Sequence, residues 1–428
     1  MVRSSGTKKN ILFLLLLSII KSSLVSACVV PTCTPQLQIC QVAADINAGF
    51  GIVRSLDWQT NSGGALLAAA VGGQVNVYTF DGKTLTLQST IVNPIGSTVE
   101  SVRWLQDSNN FYLAFGTAPN LPTTRSTVFV YDLTTPSAPS LVSSVQLAGN
   151  GGIHEINWNK VPFVNLGQTA YFIAIGRRVA GGSPRLNVVS FNITTATVSL
   201  TGANDTAGGD AYTVSWLNTG GNRYIASGLS GGGGGQPPSR IGRYQFNLPA
   251  ITLTLPPTNV PVEVSPTSLA RVKWFSIGSL PLLASSYIFG GTNRLKVSEF
   301  TPPVTFQNNP ICSVNPTSAA GGPSAIDIFS FSGNNYITLG QSATAGNSSL
   351  FVYNYTQPAG VGQYCLALSQ ARGDVFALQW TQIAGAPYLG IGGSLANSPG
   401  DFNLRIFAID DACGVQCNSV PVYITING

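Results

Sequence analysis

The residues of this sequence that could do acid–base chemistry centre on one histidine. His154 is the only histidine among 428 residues, and Glu155 follows it directly. An imidazole beside a carboxylate is an arrangement that can act as a general base, and Glu100 is a third candidate for the same site. The sequence therefore offers a hypothesis of hydrolase or lyase chemistry at His154, Glu155 and Glu100. One histidine in one place is equally consistent with a structural hydrogen-bond network.

Arginines offer a second kind of chemistry, the binding of anions. A guanidinium group holds a carboxylate or a phosphate through two parallel hydrogen bonds. Three arginines directly precede predicted strands of the same type, and three more belong to neighbouring predicted loops. The predicted contact sector consists of Arg125, Arg177, Arg178, Arg185, Arg240 and Arg294. The alternative is that these arginines only keep loops rich in Gly and Pro soluble.

Cysteines concentrate near the two ends of the chain. The seven are Cys28, Cys33, Cys40, Cys312, Cys365, Cys413 and Cys417. Without Cys28, six remain as disulfide candidates, an even number that suits an oxidising compartment. We expect at least one bridge between the pair Cys33/Cys40 and the pair Cys413/Cys417. Because histidine is nearly absent and no partner pair completes a zinc set, no metal and no cofactor is predicted.

Residues 1–27 have the pattern of an export signal. A basic segment precedes an apolar run over residues 11–20, which is too short to span a bilayer. Residues 25–27 suit cleavage before Cys28, and together with Cys28 they also resemble a bacterial lipoprotein box. Lys21 favours plain secretion over lipidation. We predict a secreted, periplasmic or cell-envelope protein, with membrane contact only through a lipid anchor at Cys28.

The charge balance argues against a general attraction to polyanions. Only 9% of the residues are charged, against about 25% in an average soluble domain. The formal net charge of +5 includes four basic residues of the export signal. Without them, 21 − 4 = 17 basic residues face 16 acidic ones, a net charge of +1. A nucleic-acid partner is therefore not predicted.

Tryptophans mark the elements that must position these residues. Each ends a motif with apolar residues two and five positions earlier, and the six are Trp58, Trp104, Trp158, Trp216, Trp274 and Trp380. A double gap after Trp274 is filled by the frame Ile326, Phe329 and Phe331, with Phe331 in place of tryptophan. Seven copies at intervals of 46, 54, 58, 58, 57 and 49 residues indicate a solenoid or a propeller. We interpret the tryptophans as packing residues between repeats.

Each copy divides into four short predicted strands, a to d, separated by turns. The pattern resembles the WD40-type β-propeller family in its strand-a frame, in the apolar-Ala-x-Gly pattern of strand b and in its seven copies. The Gly-His and Trp-Asp dipeptides of that family are missing. The resemblance implies a divergent, exported bacterial propeller with seven four-stranded antiparallel blades, an all-β fold, and it implies no particular activity.

The predicted organisation is one propeller over residues 28–428 that follows the signal peptide of residues 1–27. Residues 35–43 are predicted to close the ring as an N-terminal strand, with residues 420–426 as the competitor and disulfides as reinforcement. The predicted blades cover residues 53–92, 99–148, 152–200, 210–257, 269–314, 324–371 and 374–428.

Two sets of positions on this ring are candidate sites. Strand a lines the central channel, so the residues equivalent to His154 would form a polar ring at its mouth: Arg54, Glu100, Tyr212, Ala270, Asp327 and Phe376. The loops that join strand b to strand c all emerge on one face of a propeller. They are long in copies two, three, four, six and seven, which favours that face for binding.

The leading functional hypothesis is a non-catalytic platform that binds a protein partner through the face of the b–c loops. One alternative is lectin-like binding of an anionic glycan or envelope polymer on the same face. The other is a hydrolase or lyase at the channel mouth. The channel-mouth candidates are Arg54, Glu100, His154, Glu155 and Asp327.

Overall fold

The computed structural model consists of seven four-stranded antiparallel sheets. The first strand of each sheet contacts the first strand of the next, and the seventh contacts the first, so the inner strands form a closed ring. The expected seven-bladed propeller is thus confirmed. The structure describes residues 37, 39–45, 51–61, 64–108, 110–119, 125–149, 151–163, 168–179, 184–205, 210–229, 240–254, 271–289, 292–301, 305–307, 322–342, 349–356, 363–370, 373–394 and 403–409.

The strands follow one another from the channel outwards in each blade. Strand β1 (Ile39–Asp45) precedes the first complete blade. Blade one comprises β2 (Val53–Asn61), β3 (Gly64–Val71), β4 (Gln74–Phe80) and β5 (Leu85–Val92). Blade two comprises β6 (Val99–Asp107), β7 (Asn110–Thr117), β8 (Thr127–Asp132) and β9 (Ser140–Gln146). Blade three comprises β10 (Gly151–Phe163), β11 (Gln168–Val179), β12 (Leu186–Asn192) and β13 (Thr197–Asp205).

The later blades repeat this order. Blade four comprises β14 (Ala211–Thr219), β15 (Asn222–Leu229), β16 (Arg240–Asn247) and β17 (Thr252–Thr254). Blade five comprises β18 (Arg271–Ile277), β19 (Leu280–Phe289), β20 (Thr292–Thr301) and β21 (Thr305–Gln307). Blade six comprises β22 (Pro323–Phe331), β23 (Asn334–Gln341), β24 (Leu350–Thr356) and β25 (Gln363–Gln370). Blade seven contains β26 (Asp374–Ile383), β27 (Ala386–Ser394) and β28 (Leu404–Ile409).

The fourth strand of the seventh sheet comes from the other end of the described chain. Strand β1 pairs antiparallel with β28, with Ile39 opposite Ile409 and Asp45 opposite Leu404. The backbone N–H of Leu37 also donates to the carbonyl of Ala367 in blade six at 3.0 Å. The segment of residues 420–426 lies outside the described residues.

The core lies between the blades because both faces of each middle strand are covered. Side chains alternate along a strand, and β3 shows the consequence. Leu67 and Ala69 pack in the cluster between blades one and seven, whereas Leu66 and Ala68 pack in the cluster between blades one and two. This double burial explains why the second strand of a blade is continuously apolar.

The tryptophans pack at the seams between neighbouring blades, as expected. Trp58 Nε1 donates to the carbonyl of Gln379 in blade seven at 3.1 Å. Trp158 Nε1 donates in the same way to the carbonyl of Arg103 in blade two at 3.1 Å. These two indoles therefore add a hydrogen bond across the seam to the apolar area that they bury.

The register of the sixth copy differs from the alignment made on Phe331. The inner strands of blades one to four, six and seven carry a β-bulge, which falls between Val53 and Ser55 in blade one and between Pro323 and Ala325 in blade six. Counted from this bulge, Ile328 occupies the tryptophan position. The alignment on Phe331 was wrong by three residues because it sought an aromatic ring where the seam accepts any apolar side chain.

Candidate functional site

The channel mouth and the b–c loops lie on the same face of the propeller. The second strand of each blade runs antiparallel to the first, so its end lies beside the start of the inner strand, as Ile153 opposite Arg177 shows. A cavity of about 310 Å³ opens at the starts of the inner strands. The channel mouth is defined here by the polar residues lining this cavity, which include Arg54, Glu100, Arg103, His154, Glu155, Tyr212, Arg271, Lys273 and Ser324.

Ion pairs between neighbouring blades surround this mouth. Arg54 lies 3.4 Å from Glu100, and Lys273 Nζ lies 3.0 Å from Asp327. The others are Arg103 with Glu155 and, at 4.0 Å, Arg178 with Asp210. Among the described residues, two further ion pairs lie elsewhere: Lys160 with Asp107 and Arg185 with Asp205. Three of these six ion pairs therefore include a residue that lines the mouth, whereas Arg178 and Asp210 lie outside its lining.

Polar side chains of the inner strands also bind the backbone of the next blade. Three serine or threonine hydroxyls accept in the same position: Ser55 from the N–H of Val102 at 3.2 Å, Ser101 from Ile156 at 3.1 Å and Thr213 from Val272 at 3.0 Å. In blade three, Glu155 occupies the equivalent position and accepts from the N–H of Val214 at 3.1 Å. These bonds satisfy backbone donors that would otherwise face a neighbouring blade without a partner.

Glu155 is a structural carboxylate as well as a channel residue. Its Oε2 accepts from Val214, and its Oε1 accepts from Arg103 Nη2. The Arg103 guanidinium in turn donates to the carbonyl of Val102 at 2.8 Å. Both carboxylate oxygens are therefore engaged in holding blades two, three and four together.

Asp57 and Asp327 occupy a deeper layer of the ring. Asp57 Oδ2 accepts from the N–H of Trp104 at 2.6 Å, and Asp327 Oδ2 accepts from the N–H of Trp380 at 2.8 Å. Burial raises the pKa of Asp57 to about 6, and the charge of Arg103 opposes part of that rise.

The expected place of Asp327 in the mouth ring is thus corrected. Asp327 is equivalent to Asp57, one residue before the tryptophan position, and it is 2% exposed. The residue of blade six that corresponds to His154 is Ser324. The expected placement was wrong because the alignment on Phe331, three residues beyond Ile328, set Asp327 level with His154.

His154 sits in the mouth as a neutral base of very low basicity. Burial and then, in that order, the charges of Arg271, Arg178 and Arg54 together lower the pKa of His154 to about 3. Its ring lies 4.5 Å from the ring of Tyr212, centroid to centroid. Its Nε2 is buried and has no hydrogen-bond partner among the described residues.

Arg271 is the functional candidate that the sequence analysis missed. Its Nε donates to the carbonyl of Ser324 in blade six at 2.7 Å, and its guanidinium lies 5.3 Å from the ring centre of Tyr212. Burial lowers the pKa of Arg271, although the charge of Glu155 partly offsets this. The sequence signal was present: Arg271 directly follows Ala270, the residue that the repeat matches to His154.

Two arginines of the predicted contact sector are buried inside blade three. Arg177 is fully buried and donates to the carbonyls of Ala148 at 2.8 Å and Gly149 at 3.2 Å. Arg185 is 1% exposed, and its Nε and Nη2 donate to Asp205 Oδ2 at 2.9 and 2.7 Å. As placed, these two side chains serve the blade itself rather than an accessible surface, which corrects their assignment to the contact sector.

The other four arginines divide into two groups. Arg125 and Arg178 are exposed on the face of the b–c loops, and Arg125 Nη1 lies 3.4 Å from Gln146 Oε1. Arg240 begins β16 opposite Leu229, and Arg294 lies on β20 opposite Tyr287, but their side chains are outside the described set. The structure therefore presents Arg125 and Arg178 as the described accessible cations of the predicted sector.

Two of the cysteines lie on described strands. Cys40 is on β1 opposite Ala408, and Cys365 is on β25 opposite Asn354. Cys28, Cys33, Cys312, Cys413 and Cys417 lie outside the described residues. Within the described ranges, no group of three or more His, Cys, Asp or Glu side chains is placed to hold a metal ion. The same ranges contain no helix with the length and apolar character needed to cross a membrane.

Comparison with known proteins gives likenesses of fold. No protein-family model matches the chain, and no curated protein matches it. A solved protein from Lactobacillus plantarum is 14% identical, with a TM-score of 0.53 over 75% of this chain and 85% of that chain. An ancestral GH74 enzyme is 10% identical, with a TM-score of 0.54 over 84% of this chain. This chain spans 48% of the length of that enzyme.

A chain in the crystal structure of the mitotic checkpoint complex is also similar. It is 15% identical, with a TM-score of 0.48 over 86% of this chain and 93% of that chain. Sequence identities this low indicate a shared architecture and give no information about activity. Strand order, pairing and the contacts between the inner strands show a seven-bladed β-propeller built from four-stranded antiparallel blades.

Proposed function

We propose that this protein is an exported, non-catalytic β-propeller that binds a protein partner on the face carrying the b–c loops and the channel mouth. The placement of charge carries the proposal. Three of the six ion pairs among the described residues include a residue that lines this mouth, in a chain with only 9% charged residues. Local charge on an otherwise neutral surface supplies orientation and specificity to an encounter.

Two exposed arginines extend this charge beyond the mouth. The side chain of Arg178 is 75% exposed and lies 4.0 Å from Asp210, so little of its charge is committed within the chain. Arg125 is exposed beside the second b–c loop. Both are available to a partner carboxylate, which supports an acidic patch as the complementary surface.

The mouth has features that favour binding over catalysis. A general base works best with a pKa near the working pH, whereas the pKa of His154 is about 3. Glu155 uses both carboxylate oxygens to hold neighbouring blades. The hydrolase or lyase alternative therefore depends on Glu100, which has no neighbouring base. This alternative would regain support only if a turnover measured for the wild type were lost in His154→Ala.

Export through residues 1–27 is part of this proposal. It is supported by the basic and apolar segments of the N-terminus, with cleavage before Cys28 and release as the preferred outcome. Intact mass measurement of the mature protein distinguishes this from a lipidated Cys28. A mature protein that begins upstream of residue 28 would contradict the proposed cleavage site.

We further propose that the N-terminal strand closes the ring and that disulfides reinforce the closure. The pairing of β1 with β28 supports the first statement. At least one bridge between Cys33/Cys40 and Cys413/Cys417 is proposed because both pairs flank this blade in sequence. Peptide mapping without reduction would show such a bridge, and cysteines from the two ends that never share a peptide would contradict it.

The binding function is tested by removing the two exposed arginines together. Arg125→Ala/Arg178→Ala should lower capture of the partner from the surroundings of the source cell at least about fivefold, because two charge-assisted contacts are lost. The matched control is Lys83→Ala/Lys160→Ala, which removes two exposed cations near the turns of the opposite face. Equal capture by both variants and the wild type would reject the proposed face.

The same variants separate a protein partner from an anionic glycan or envelope polymer. Protease treatment of the captured material should abolish binding if the partner is a protein. Binding that survives protease and disappears steadily with rising salt would instead favour the polymer, because exposed charge contacts are screened. That result would move the proposal to lectin-like binding on the same face.

A further inference from the structure

One cation of the channel mouth has no carboxylate in contact with it. The mouth is lined by four cationic side chains: Arg54, Arg103, Arg271 and Lys273. Within the described part of the chain, ion pairs engage the first two and the last, but none includes Arg271. Arg271 therefore brings to the cavity a positive charge that no described carboxylate neutralises by contact.

The guanidinium of Arg271 is held at one nitrogen and lacks a hydrogen-bond partner at another among the described residues. Its Nε is committed to the carbonyl of Ser324, and its plane lies near the ring of Tyr212. Its Nη1 is buried and has no hydrogen-bond partner among the residues that the structure describes. Because buried donors are normally satisfied, Nη1 marks a position suited to an acceptor.

His154 supplies a second atom of the same kind in the same cavity. Its Nε2 is buried without a partner in the described part of the chain, and its ring lies against Tyr212 at 4.5 Å. A neutral imidazole can carry its proton on Nε2 and then donates one hydrogen bond. Arg271 and His154 thus both lie near the ring of Tyr212, and both line the cavity of about 310 Å³.

We propose that Arg271, His154 and Tyr212 form a carboxylate-binding subsite at the channel mouth. One carboxylate oxygen accepts from Arg271 Nη1, and the other accepts from the Nε2–H of neutral His154. The ring of Tyr212 forms a flat wall beside them. Arg54 and Arg178 act on His154 electrostatically, so their positive field also favours an anion here.

This inference rests on the proposed function, since it names the chemistry that the binding face recognises. The carboxylate can come from an acidic side chain of the protein partner or from a small free acid. Phosphate is a poorer match, because the subsite offers one cationic and one neutral donor rather than several cations.

His154 gives the subsite a reporter of its own, because it is the only histidine. The full chain with isotope-labelled histidine is titrated with sodium acetate against sodium chloride at constant ionic strength. We expect a saturable shift of the imidazole resonances. Arg271→Gln should weaken acetate binding about tenfold, because a charge-assisted hydrogen bond is lost.

The matched control is Arg223→Gln, which removes an arginine of β15 at the end remote from the mouth. It should leave the acetate affinity within about twofold. Absence of a saturable shift in the wild type overturns the proposal, and so does equal affinity in wild type and Arg271→Gln. The wild-type titration decides the matter even if Arg271→Gln does not fold.

Capture of the partner in the presence of acetate distinguishes the two possible sources of the carboxylate, the protein partner and a small free acid. If acetate competes with capture, the partner supplies the carboxylate; if acetate binds and capture is unchanged, the ligand is a small free acid. Both results support the subsite. Acetate binding together with undiminished capture by Arg125→Ala/Arg178→Ala would remove the proposed protein-binding face and leave the subsite intact. Absence of acetate binding, together with reduced capture by Arg125→Ala/Arg178→Ala, would remove the subsite and leave the protein-binding face.

Discussion

The carboxylate of Asp327 accepts a hydrogen bond from the backbone N–H of Trp380 at 2.8 Å, across the seam between blades six and seven. The same relationship joins Asp57 to Trp104 between blades one and two, and Ser215 to Trp274 between blades four and five. A short polar side chain directly before the tryptophan position thus binds the next blade at its innermost strand. These contacts tie the geometry of the channel mouth to the stability of the ring.

Asp327→Ala should destabilise the protein by about 2–4 kcal/mol, because it leaves a buried N–H without an acceptor and Lys273 without its carboxylate. Thermal or urea unfolding measures the effect. Ser330→Ala is the control on the same strand, since Ser330 is exposed and its removal should change stability by less than about 0.5 kcal/mol. Equal midpoints for the two variants would show that the seam contact contributes little.

Asp57 should make the protein less stable as pH rises. Its pKa in the folded chain, about 6, lies above the ordinary value of 3.8. The stabilising contribution is therefore complete below pH 3.8 and is lost as the pH rises through 6. Asp57→Asn keeps an acceptor for Trp104 and should remove this loss, on the order of 2–3 kcal/mol between pH 4 and pH 7. Unfolding midpoints compared across this range check it, and parallel wild-type and variant profiles would contradict it.

His154 should stay neutral throughout the physiological range. With a pKa of about 3 against the ordinary 6.5, its contribution to stability is present above pH 6.5 and is lost as the pH falls towards 3. The single imidazole signal in a magnetic resonance titration should therefore show no midpoint between pH 5 and pH 8. Burial is the largest cause of this low pKa, and the charges of Arg271, Arg178 and Arg54 add to it. A midpoint near 6.5 would mean that the imidazole is solvated and that the mouth is open to water.

Arg185→Ala should destabilise the protein much more than Arg178→Ala, although the sequence places both arginines in one loop region. Arg185→Ala leaves the carboxylate of Asp205 without its cation in a buried setting, at an expected cost of about 3 kcal/mol. Arg178→Ala removes a side chain that is 75% exposed and should cost less than about 0.5 kcal/mol. Chemical unfolding of both variants tests the contrast. If Arg185→Ala were as stable as the wild type, Arg185 would again be a candidate residue of the contact sector.

The number of blades was predictable from the sequence because every seam needs an apolar frame at the same position of the inner strand. The register of blade six was not predictable in this way, since Ile328 fills its seam without an aromatic ring and the bulge before it leaves no composition signal. Apolar spacing reports which face of a strand is buried. It does not report where a strand takes an extra residue.

Burial of cations was the second limit of the sequence analysis. Arg125, Arg177 and Arg185 all lie near the ends of predicted b–c loops, yet only Arg125 is exposed. The difference comes from partners that are distant in sequence, such as Asp205 for Arg185 and the carbonyl of Ala148 for Arg177. Arg271 was overlooked for the related reason that its neighbours His154, Tyr212 and Ser324 come from three other blades.

Amide hydrogen exchange of the propeller with and without its captured partner tests the binding face most directly. We predict slower exchange on partner binding in the segments that enter the b–c loops, at Thr117, Gly176 and Gln341, and unchanged exchange at the opposite turns around Lys83 and Gly221. Protection of those opposite turns, with no change beside the b–c loops, would contradict the account.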